Sequence, residues 1–341
     1  MKYPFIIAEI SANHNGSLNH AKKLIKLAKE QGMSAVKIQT YTAETMTIKT
    51  KSKKFIISSG IWKGESLWNL YNKAHTPWKW HKELFNYAKK IRIKIFSTPF
   101  DNSAVNFLEK LNCPFYKVSS FEMNDLGLIK RIAKTKKTMI ISTGLSNLNE
   151  ISKTISCAKK YGAKKIILLY CVSNYPSKYT DFNLNNLVIL KNKFKCEVGL
   201  SDHSLDNNIA IGAATLGAKV FEKHIALKGQ KKGLDIKFSL KGEEIGKYVK
   251  DISHACQLVK KNFFYRSKDE TKNKFFRRSI FAMKDIQKGE IFTQQNIKTL
   301  RPNIGLSATY FNKILGKKSP KDIKNNQSIN KNILKLLKNK I

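Results

Sequence analysis

Two histidines follow neighbouring apolar segments of the sequence, at the point where each segment turns polar. The segment GLSDHS (199–204) carries His203, and the segment FEKH (221–224) ends in His224. Imidazoles at equivalent ends of adjacent parallel strands would lie close enough to share one metal ion. A single histidine beside an apolar strand is more often structural, but the repeated position favours a shared site. We therefore predict that His203 and His224 are metal ligands.

Carboxylates near these imidazoles would extend the site. Glu9 ends the first apolar segment of the chain, and it could complete a set of nitrogen and oxygen ligands. Such a mixed set suits Mn²⁺, Mg²⁺, Co²⁺ or Zn²⁺. Glu122 and Asp235 are then left for proton transfer or for binding a substrate hydroxyl group.

Lysines and hydroxyl side chains lie at the ends of the other apolar segments. Ammonium groups and hydroxyl donors together are what a phosphate or a carboxylate requires. The predicted members of this anion site are Lys37, Thr98, Lys117, Ser120, Ser142 and Ser201. Taken alone, Lys37 could equally be a surface lysine whose ammonium group reaches solvent. The residue types therefore indicate a metal-dependent enzyme that acts on a phosphorylated anion.

Apolar segments of strand length alternate with amphipathic segments through most of the chain. The predicted strands are 5–10, 35–40, 94–98, 115–119, 138–143, 166–171, 196–201 and 219–224. The predicted helices are 20–31, 81–90, 103–111, 126–135, 149–161, 206–216 and 243–262. Eight strands in about 260 residues favour a closed (β/α)8 TIM barrel over a doubly wound sheet. Active sites of this fold lie at the C-terminal ends of the strands, where the polar residues occur.

The sequence pattern changes near residue 262. Residues 263–278 are polar and charged, which predicts a linker, and residues 279–341 contain short β-like segments. We therefore predict a barrel domain over 1–262, followed by the linker and a small β-rich C-terminal domain. The segment 41–80 is too long for an ordinary connection in a barrel, which predicts an ordered functional insertion. It contains all four tryptophans: Trp62, Trp68, Trp78 and Trp80.

Composition limits the classes of partner. The net charge is +40, but only six of the 64 basic residues are arginines. Proteins that read bases and phosphates rely on arginine for bidentate contacts, so we predict a lysine-rich surface and no specific nucleic-acid partner. No apolar run reaches the ~18 residues of a membrane span, so we predict no membrane association. Five scattered cysteines without a CxxC pair predict reduced thiols in a cytoplasmic protein.

Several motifs occur in order and together resemble the sialic acid synthase family. They are FIIAEISANHNGS (5–17), AVKIQTYTAETMT (35–47), FSTPFD (96–101), YKVSSFEMND (116–125), ISTGLS (141–146), GLSDHS (199–204) and FEKHIAL (221–227). The segment AMKDIQKGEIFTQQNIKTLRPNIGL (282–306) resembles the antifreeze-protein-like SAF domain that is fused to those barrels. The resemblance covers residues 4–330 and implies a TIM barrel followed by a SAF domain.

The resemblance implies the condensation of phosphoenolpyruvate with an amino-sugar aldehyde. The product would be a nine-carbon 2-keto acid, and phosphate would be released. By this resemblance His203 and His224 bind Mn²⁺ or Mg²⁺, with Co²⁺ as a third candidate, and Glu9 lies beside the metal. The lysines and hydroxyl residues of the predicted anion site match the phosphoenolpyruvate pocket, with Lys117 neutralising charge on the leaving phosphate.

Further positions match by the same resemblance. Gln39, Tyr175 and Asp235 match residues that contact the sugar or the intermediate, and Glu122 matches a glutamate that transfers a proton. Arg301 matches an arginine that the SAF domain of one subunit inserts into the active site of its partner, which implies a domain-swapped homodimer. A non-catalytic sugar-phosphate binder is the alternative, but such a copy would lack some reacting residues, and this chain retains them all.

The sugar is suggested by two aromatic segments. LWNLYNKAHTPWKWH (67–81) and CVSNYP (171–176) resemble the branch of the family that uses 2,4-diacetamido-2,4,6-trideoxy-L-altrose. N-acetylneuraminate synthases typically have asparagine where Ser173 stands. Aromatic side chains suit the methyl and acetamido groups of the altrose. The N-acetylneuraminate and legionaminate branches are the alternatives.

Overall fold

The structure is a computed structural model that describes residues 4–261 and 263–338. The Cα positions divide into two compact units, with the boundary between Lys260 and Lys261. The predicted domain limits 1–262 and 279–341 include residues 1–3, 262 and 339–341, which lie outside the described residues. The segment 263–278, predicted to be a linker, falls in the second unit.

Eight parallel strands within residues 4–261 close into a barrel. Each strand pairs with the next one, and the first pairs with the eighth. The strands are β1 (Phe5–Glu9), β2 (Ala35–Thr40), β3 (Lys94–Pro99), β4 (Phe115–Val118), β5 (Thr138–Ser142), β6 (Ile166–Cys171), β7 (Glu197–Asp202) and β8 (Val220–Ala226). A short strand, β9 (Leu240–Lys241), pairs with β8 outside the closed ring. The predicted TIM barrel and all eight of its predicted strands are confirmed.

Helices alternate with the barrel strands, and two of them lie in the segment 41–80. They are α1 (Leu18–Glu30), α2 (Ala43–Met46), α3 (Leu67–Ala74), α4 (Trp78–Lys90), α5 (Asn102–Lys110), α6 (Leu126–Ala133), α7 (Leu148–Lys160), α8 (Asn185–Phe194), α9 (Asn207–Thr215) and α10 (Glu244–Leu258). The seven predicted helices are confirmed, although α10 ends at Leu258. The sequence analysis missed the four-residue helix α2 as well as α3 and α8. In α8 the apolar residues 187–190 are consecutive, which hides the helical period.

Aromatic rings fill the barrel interior below the strand ends. The ring centroids of Phe96 and Phe115 are 4.4 Å apart, and those of Phe5 and Phe115 are 5.8 Å apart. Side chains two residues apart on a strand point to the same side, so the residues above these rings also face the barrel interior. The apolar floor therefore excludes water from beneath the polar layer at the strand ends.

The second unit has its own small apolar core. Its strands β10 (Ser279–Ala282) and β11 (Ile297–Leu300) are antiparallel, in agreement with the predicted β-rich domain. Short helices α11 (Lys268–Lys272), α12 (Phe311–Ile314) and α13 (Ile333–Lys338) flank them. The buried core residues include Ile280, Phe292, Ile297, Ile314 and Ile329. Across the described residues of both units, the helices are too short or too polar to cross a membrane.

Gly199 controls how closely β7 approaches β8. It is the register partner of Val220, two residues before the pair Ser201 and Glu222. A Cβ atom on Gly199 would collide with the Val220 carbonyl oxygen and would lie 2.7 Å from Leu169 Cδ2. A side chain at this position would therefore separate the two strands that carry His203 and His224.

We predict that Gly199→Ala destabilises the barrel. Forcing a methyl group into a packed interior costs about 1–3 kcal/mol of unfolding free energy, because strands or side chains must move. Thermal and denaturant unfolding would measure the loss. Gly127→Ala is the matched control, since its Cβ would meet only the Asp125 side chain, at 3.1 Å. An unchanged unfolding free energy for Gly199→Ala would contradict the close approach of the two strands.

Candidate active site

Lys37 lies at the centre of a buried polar layer where the strands end. Its Nζ atom donates to Thr98 Oγ1 at 3.1 Å and forms an ion pair with Glu9. The same Nζ atom lies 3.4 Å from Glu222 Oε1. All four side chains are buried, so Lys37 is not a surface lysine. The structure thus brings Glu9 together with Lys37 and Thr98. The sequence analysis assigned Lys37 and Thr98 to the anion site and Glu9 to the metal site.

Glu222 joins the two lysines of this layer, and the sequence analysis did not single it out. Its Oε1 atom lies 3.6 Å from Lys117 Nζ and accepts a hydrogen bond of 3.4 Å from Ser201 Oγ. A signal was present in the sequence, because Glu222 stands two residues before His224 on one strand. Residues with that spacing share a face, so a carboxylate there had to point into the predicted site.

Burial and charge set the ionisation of this layer. Burial opposes the charged form of Glu222, but Lys117 and Lys37 lower the pKa of this carboxyl below its ordinary value. Burial raises the pKa of Glu9 to about 7, although the charge of Lys37 opposes that rise. Burial also opposes the charge of Lys37, yet Glu222 and Glu9 raise its pKa. Burial lowers the pKa of Lys117, and the charge of Glu222 opposes that shift. Glu222 therefore provides the negative charge that the two buried lysines share.

Hydroxyl and amide groups border the layer on the β4 and β5 side. Ser120 Oγ accepts a hydrogen bond of 3.1 Å from the backbone amide of Gly144. A Cβ atom at Gly144 would lie 2.7 Å from Ser120 Oγ and would collide with Ser173 Oγ. Ser142 Oγ is buried and has no hydrogen-bond partner among the described residues. These groups leave a donor available for an anion beside Lys117.

His203 and His224 lie side by side at the ends of β7 and β8. Their ring centroids are 5.4 Å apart. Burial lowers the pKa of His224 well below its ordinary value, which keeps its imidazole neutral. Burial also opposes protonation of His203, but Cys171 beside it and the Val172 carbonyl raise its pKa.

The two imidazoles fit a metal ion as a pair of nitrogen ligands. His203 Nδ1 lies 3.0 Å from the Val172 carbonyl oxygen. In the neutral ring Nδ1 carries the proton and donates it to this oxygen, so the lone pair is on Nε2. His224 Nδ1 is buried and has no hydrogen-bond partner among the described residues. Residues 4–261 and 263–338 contain no group of three or more His, Cys, Asp or Glu residues arranged for a metal. Glu9 is engaged by Lys37 and by the Ser11 amide at 2.6 Å, so further metal ligands would be water or substrate.

Aromatic residues hold the imidazoles in place. The Phe238 ring lies 4.7 Å from the His224 ring and 5.9 Å from the His203 ring, measured between centroids. The Tyr175 ring lies 4.4 Å from the His203 ring. Asp235 Oδ2 lies 3.8 Å from His224 Nδ1 and accepts a hydrogen bond of 3.3 Å from the Ala12 amide. The predicted residues Tyr175 and Asp235 therefore adjoin the imidazole pair.

A cavity of about 380 Å³ adjoins His224 and is lined by both polar and apolar residues. Its polar lining residues are Ser11, Gln39, Ser119, Glu122, Ser173, Tyr175, His224 and Asp235. Its apolar lining residues are Tyr41, Met46, Ile57, Trp62, Leu67, Leu70, Tyr71, Ala74, Phe100, Phe121, Leu234 and Phe238. The cavity therefore unites the predicted residues Gln39, Glu122, Tyr175 and Asp235 with an apolar wall. A larger cavity of about 580 Å³ lies between α7 and α8 and contains none of the predicted site residues.

The segment 41–80 forms most of that apolar wall. Trp62 Nε1 donates to the Leu234 carbonyl oxygen at 3.1 Å, and Trp78 Nε1 donates to the Tyr41 carbonyl oxygen at 3.2 Å. The first bond ties the segment to the residues that follow β8, and the second joins the two ends of the segment to each other. The segment is therefore ordered and contributes to the candidate site.

Glu122 lies at the edge of the cavity, just after β4. Burial raises the pKa of its carboxyl to about 7, and the charge of Lys117 opposes that rise. Ser119 Oγ donates a hydrogen bond to Glu122 Oε2. A carboxyl group with a pKa near neutrality can both donate and accept a proton at neutral pH.

Arg301 belongs to the second unit. It directly follows β11 and is exposed to solvent. Its predicted role in the active site of a partner subunit stays a prediction. The five cysteines have free thiols in the structure, as predicted.

Comparisons with known proteins identify both parts of the chain. Residues 24–263 match the NeuB family, and residues 277–334 match the SAF domain. The chain is 44% identical to the pseudaminic acid synthase of Helicobacter pylori over 324 residues, which cover 95% of each protein.

Two further relatives show the breadth of the similarity. The chain is 40% identical to the N,N'-diacetyllegionaminic acid synthase of Campylobacter jejuni, over 96% of this chain and 99% of that protein. It also resembles the crystal structure of N-acetylneuraminic acid (sialic acid) synthetase from Leptospira borgpetersenii serovar Hardjo-bovis in complex with citrate. The TM-score is 0.70 at 29% identity, over 79% of this chain and 89% of that one.

We predict that Glu222→Gln lowers the Tm of the ligand-free protein and increases the rise in Tm that phosphate causes. Removing one partner of a buried ion pair costs about 3–5 kcal/mol, because the remaining charges are left uncompensated. Inorganic phosphate would then replace the lost negative charge between Lys37 and Lys117. Thermal unfolding with and without phosphate should show a lower Tm than the unsubstituted protein and a larger rise in Tm on adding phosphate.

Glu197→Gln is the matched control for this measurement. Glu197 also lies between two lysines, with Lys165 Nζ at 2.6 Å and Lys219 Nζ at 3.3 Å, but this group is partly exposed. Its removal should change Tm little, because exposed ion pairs contribute at most about 1 kcal/mol. A phosphate response equal in both variants would contradict an anion site at Glu222.

Proposed function

We propose an activity for this chain from the fact that it belongs to the NeuB family and carries a SAF domain. It is a transferase that condenses phosphoenolpyruvate with 2,4-diacetamido-2,4,6-trideoxy-L-altrose and water to give pseudaminic acid and phosphate. The observation that carries this proposal is 44% identity to a pseudaminic acid synthase along 95% of both chains. The site geometry supports each substrate in turn.

The buried lysines support phosphoenolpyruvate as the anionic substrate. Lys37 donates to Thr98, Glu222 links both lysines to Ser201, and Ser142 at the end of β5 has a hydroxyl group without a partner among the described residues. Together these groups offer donors for a phosphate and a carboxylate. In a barrel mouth closed below by apolar rings, these charges act in a medium of low polarity. Electrostatic stabilisation is therefore stronger there than in water.

The imidazole pair supports a divalent metal ion. His203 and His224 would hold it, and when bound it would act as a Lewis acid toward the sugar aldehyde. Mn²⁺ and Mg²⁺ are the proposed ions, with Co²⁺ as a third candidate. Metal binding should depend on both imidazoles and should be lost in His203→Ala and in His224→Ala.

The wall of the cavity supports a sugar with few hydroxyl groups. A 6-deoxy sugar with two acetamido groups presents three methyl groups, which gain free energy when apolar side chains cover them. Met46, Leu67, Leu70 and Tyr71 form such a surface. The polar side of the cavity is left for the remaining hydroxyl and amide groups of the sugar.

The proposed reaction uses the lysines and Glu122 of the candidate site. The C3 carbon of phosphoenolpyruvate attacks the sugar aldehyde carbon, and a carbon–carbon bond forms. Water adds to the cationic C2 centre, and the tetrahedral intermediate expels phosphate as its C–O bond breaks. Lys37 and Lys117 stabilise the charge that grows on the leaving phosphate. Glu122, in its protonated form, donates a proton to the intermediate.

Assembly and location complete the proposal. The chain forms a domain-swapped homodimer in which Arg301 of one subunit reaches the active site of the other. It works in the cytoplasm, where phosphoenolpyruvate is available, and has neither a specific nucleic-acid partner nor a membrane partner.

A legionaminate synthase is the second candidate function, because the Campylobacter jejuni relative with that activity is 40% identical over nearly the whole chain. An N-acetylneuraminate synthase is a weaker candidate, since Ser173 stands where those enzymes carry an asparagine that contacts the sugar.

The test is phosphate release from phosphoenolpyruvate with Mn²⁺ and three sugars in parallel. They are 2,4-diacetamido-2,4,6-trideoxy-L-altrose, its mannose-configured counterpart and N-acetylmannosamine, with mass spectrometry of each product. We expect turnover with the altrose and its loss in His203→Ala. Turnover with only another sugar would reassign the substrate. Turnover with none, in folded metal-loaded protein, would favour a non-catalytic binder.

We predict that Glu122 sets an alkaline limit to turnover. Burial raises its pKa to about 7, with Lys117 opposing and Asp125 adding to the rise, and Tyr71 and Tyr175 also face it. Its proton is present below that pKa and is lost as the pH rises through it. The rate kcat should therefore fall above about pH 7, and Glu122→Gln should abolish this dependence and reduce kcat by about 100- to 10,000-fold.

Asp125→Asn is the control for the pH profile. Asp125 accepts the backbone amide of Leu128 at 3.0 Å as the N-cap of α6, and asparagine caps a helix equally well. This variant should keep the alkaline limit. An alkaline limit that persists in Glu122→Gln would assign the proton to another group.

A further inference from the structure

A buried ion pair lies directly behind the two imidazoles, on the outer face of the barrel. Asp202 ends β7 directly before His203, Lys223 precedes His224 on β8, and Asp202 and Lys223 are register partners. Asp202 Oδ2 lies 3.0 Å from Lys223 Nζ, and the side chains are 0% and 1% exposed. Since neighbouring residues on a strand point to opposite sides, the pair faces away from the site while the imidazoles face into it.

The pair also holds the backbone that follows His203. Ser204 donates to Asp202 Oδ1 twice, from its backbone amide at 2.8 Å and from Oγ at 2.7 Å. Lys223 Nζ donates to the Ser204 carbonyl oxygen. His203 is therefore flanked on both sides by residues bonded to Lys223, which itself adjoins His224.

The outer helix closes this network. Tyr248 on α10 donates to Asp202 Oδ2 at 3.3 Å, and its ring lies 5.8 Å from Lys223 Nζ. Asp202 thus accepts from four donors of three residues, and both charges are satisfied without water. A buried pair with this many partners resists movement, because any shift leaves a charge without a partner in the interior.

We propose that Asp202, Lys223 and Ser204 form a positioning bracket that sets the spacing of His203 and His224 for metal binding. The bracket touches neither substrate nor metal, and it acts through the backbone on which the imidazoles stand. The bracket affects the affinity of the protein for the metal ion, and it leaves the anion site around Glu222 unchanged. The inference rests on the proposed metal site.

The test measures Mn²⁺ binding to metal-free protein, by electron paramagnetic resonance of the free ion. Asp202→Asn combined with Lys223→Met removes both charges together at nearly constant volume, which avoids leaving one charge buried alone. We expect Mn²⁺ to bind about 10- to 100-fold more weakly, as for other groups that orient metal ligands. The rise in Tm caused by inorganic phosphate should stay as in the unsubstituted protein.

The matched control removes a similar ion pair at the surface of α10. Lys247 Nζ lies 2.7 Å from Asp251 Oδ2, and Lys247→Met with Asp251→Asn should leave Mn²⁺ affinity unchanged. Equal Mn²⁺ affinity in the folded bracket variant and in this control would overturn the bracket. Should the bracket variant not fold, Ser204→Ala decides the question, since it removes the hydroxyl that donates to Asp202 Oδ1 and keeps both charges. Several-fold weaker Mn²⁺ binding supports the bracket, and unchanged binding overturns it.

His203→Ala separates this inference from the metal site itself. Loss of Mn²⁺ binding in that variant, with normal binding in the bracket variants, would keep the metal site and reject the bracket. Mn²⁺ binding that is the same with and without His203 would reject both. Turnover measured with the three sugars tests the reaction independently of either outcome.

Discussion

The candidate site depends on placing two ammonium groups inside a barrel that water does not enter from below. Lys37 and Lys117 are both buried, and neither could remain charged there without a nearby negative group. Glu222 supplies that charge by lying within 3.6 Å of both ammonium groups. The closed ring of strands makes this arrangement possible, because it brings β2, β4 and β8 to one interior. The same arrangement leaves hydrogen-bonding groups available to an incoming anion. The stability of the barrel and the binding of an anion therefore depend on the same residues.

The imidazole pair and the 380 Å³ cavity adjoin this layer. His224 stands two residues after Glu222 on β8, so the anion site and the imidazoles are joined by a single strand. Phe238 and Tyr175 pack on the imidazoles from above, and the segment 41–80 extends this apolar surface over the barrel mouth. The barrel thereby supplies the polar groups of the site, and the segment 41–80 supplies apolar side chains that can contact a substrate. Different sugars could be selected by changing the insertion while the barrel floor and the anion site stay the same.

Much of the architecture could be predicted because the strands and helices of a parallel barrel have regular local patterns of apolar residues. The eight strands are short apolar runs, and the polar side chains at their ends mark the catalytic face. The helix α8 was missed because its apolar residues are consecutive. The helix α3 was missed although Leu67, Leu70, Tyr71 and Ala74 have helical spacing, because the whole segment 41–80 was interpreted as one insertion. Glu222 was missed because its importance comes from lysines on two distant strands. The bracket behind the imidazoles was missed for a similar reason, since a pair such as Asp202 and Lys223 looks like ordinary surface charge.

The sequence by itself determined the fold class, the two-part organisation, the family and the identity of most side chains at the strand ends. These follow from local patterns and from motifs that occur in a fixed order. Only the tertiary structure decided which charges meet. It paired Lys37 with Glu9 and Glu222, turned Asp202 and Lys223 toward each other, and brought apolar residues of the segment 41–80 into one cavity with polar residues from the strand ends. The physical reason is that the energy of a buried charge depends on neighbours a few ångströms away, and barrel closure draws those neighbours from distant parts of the chain.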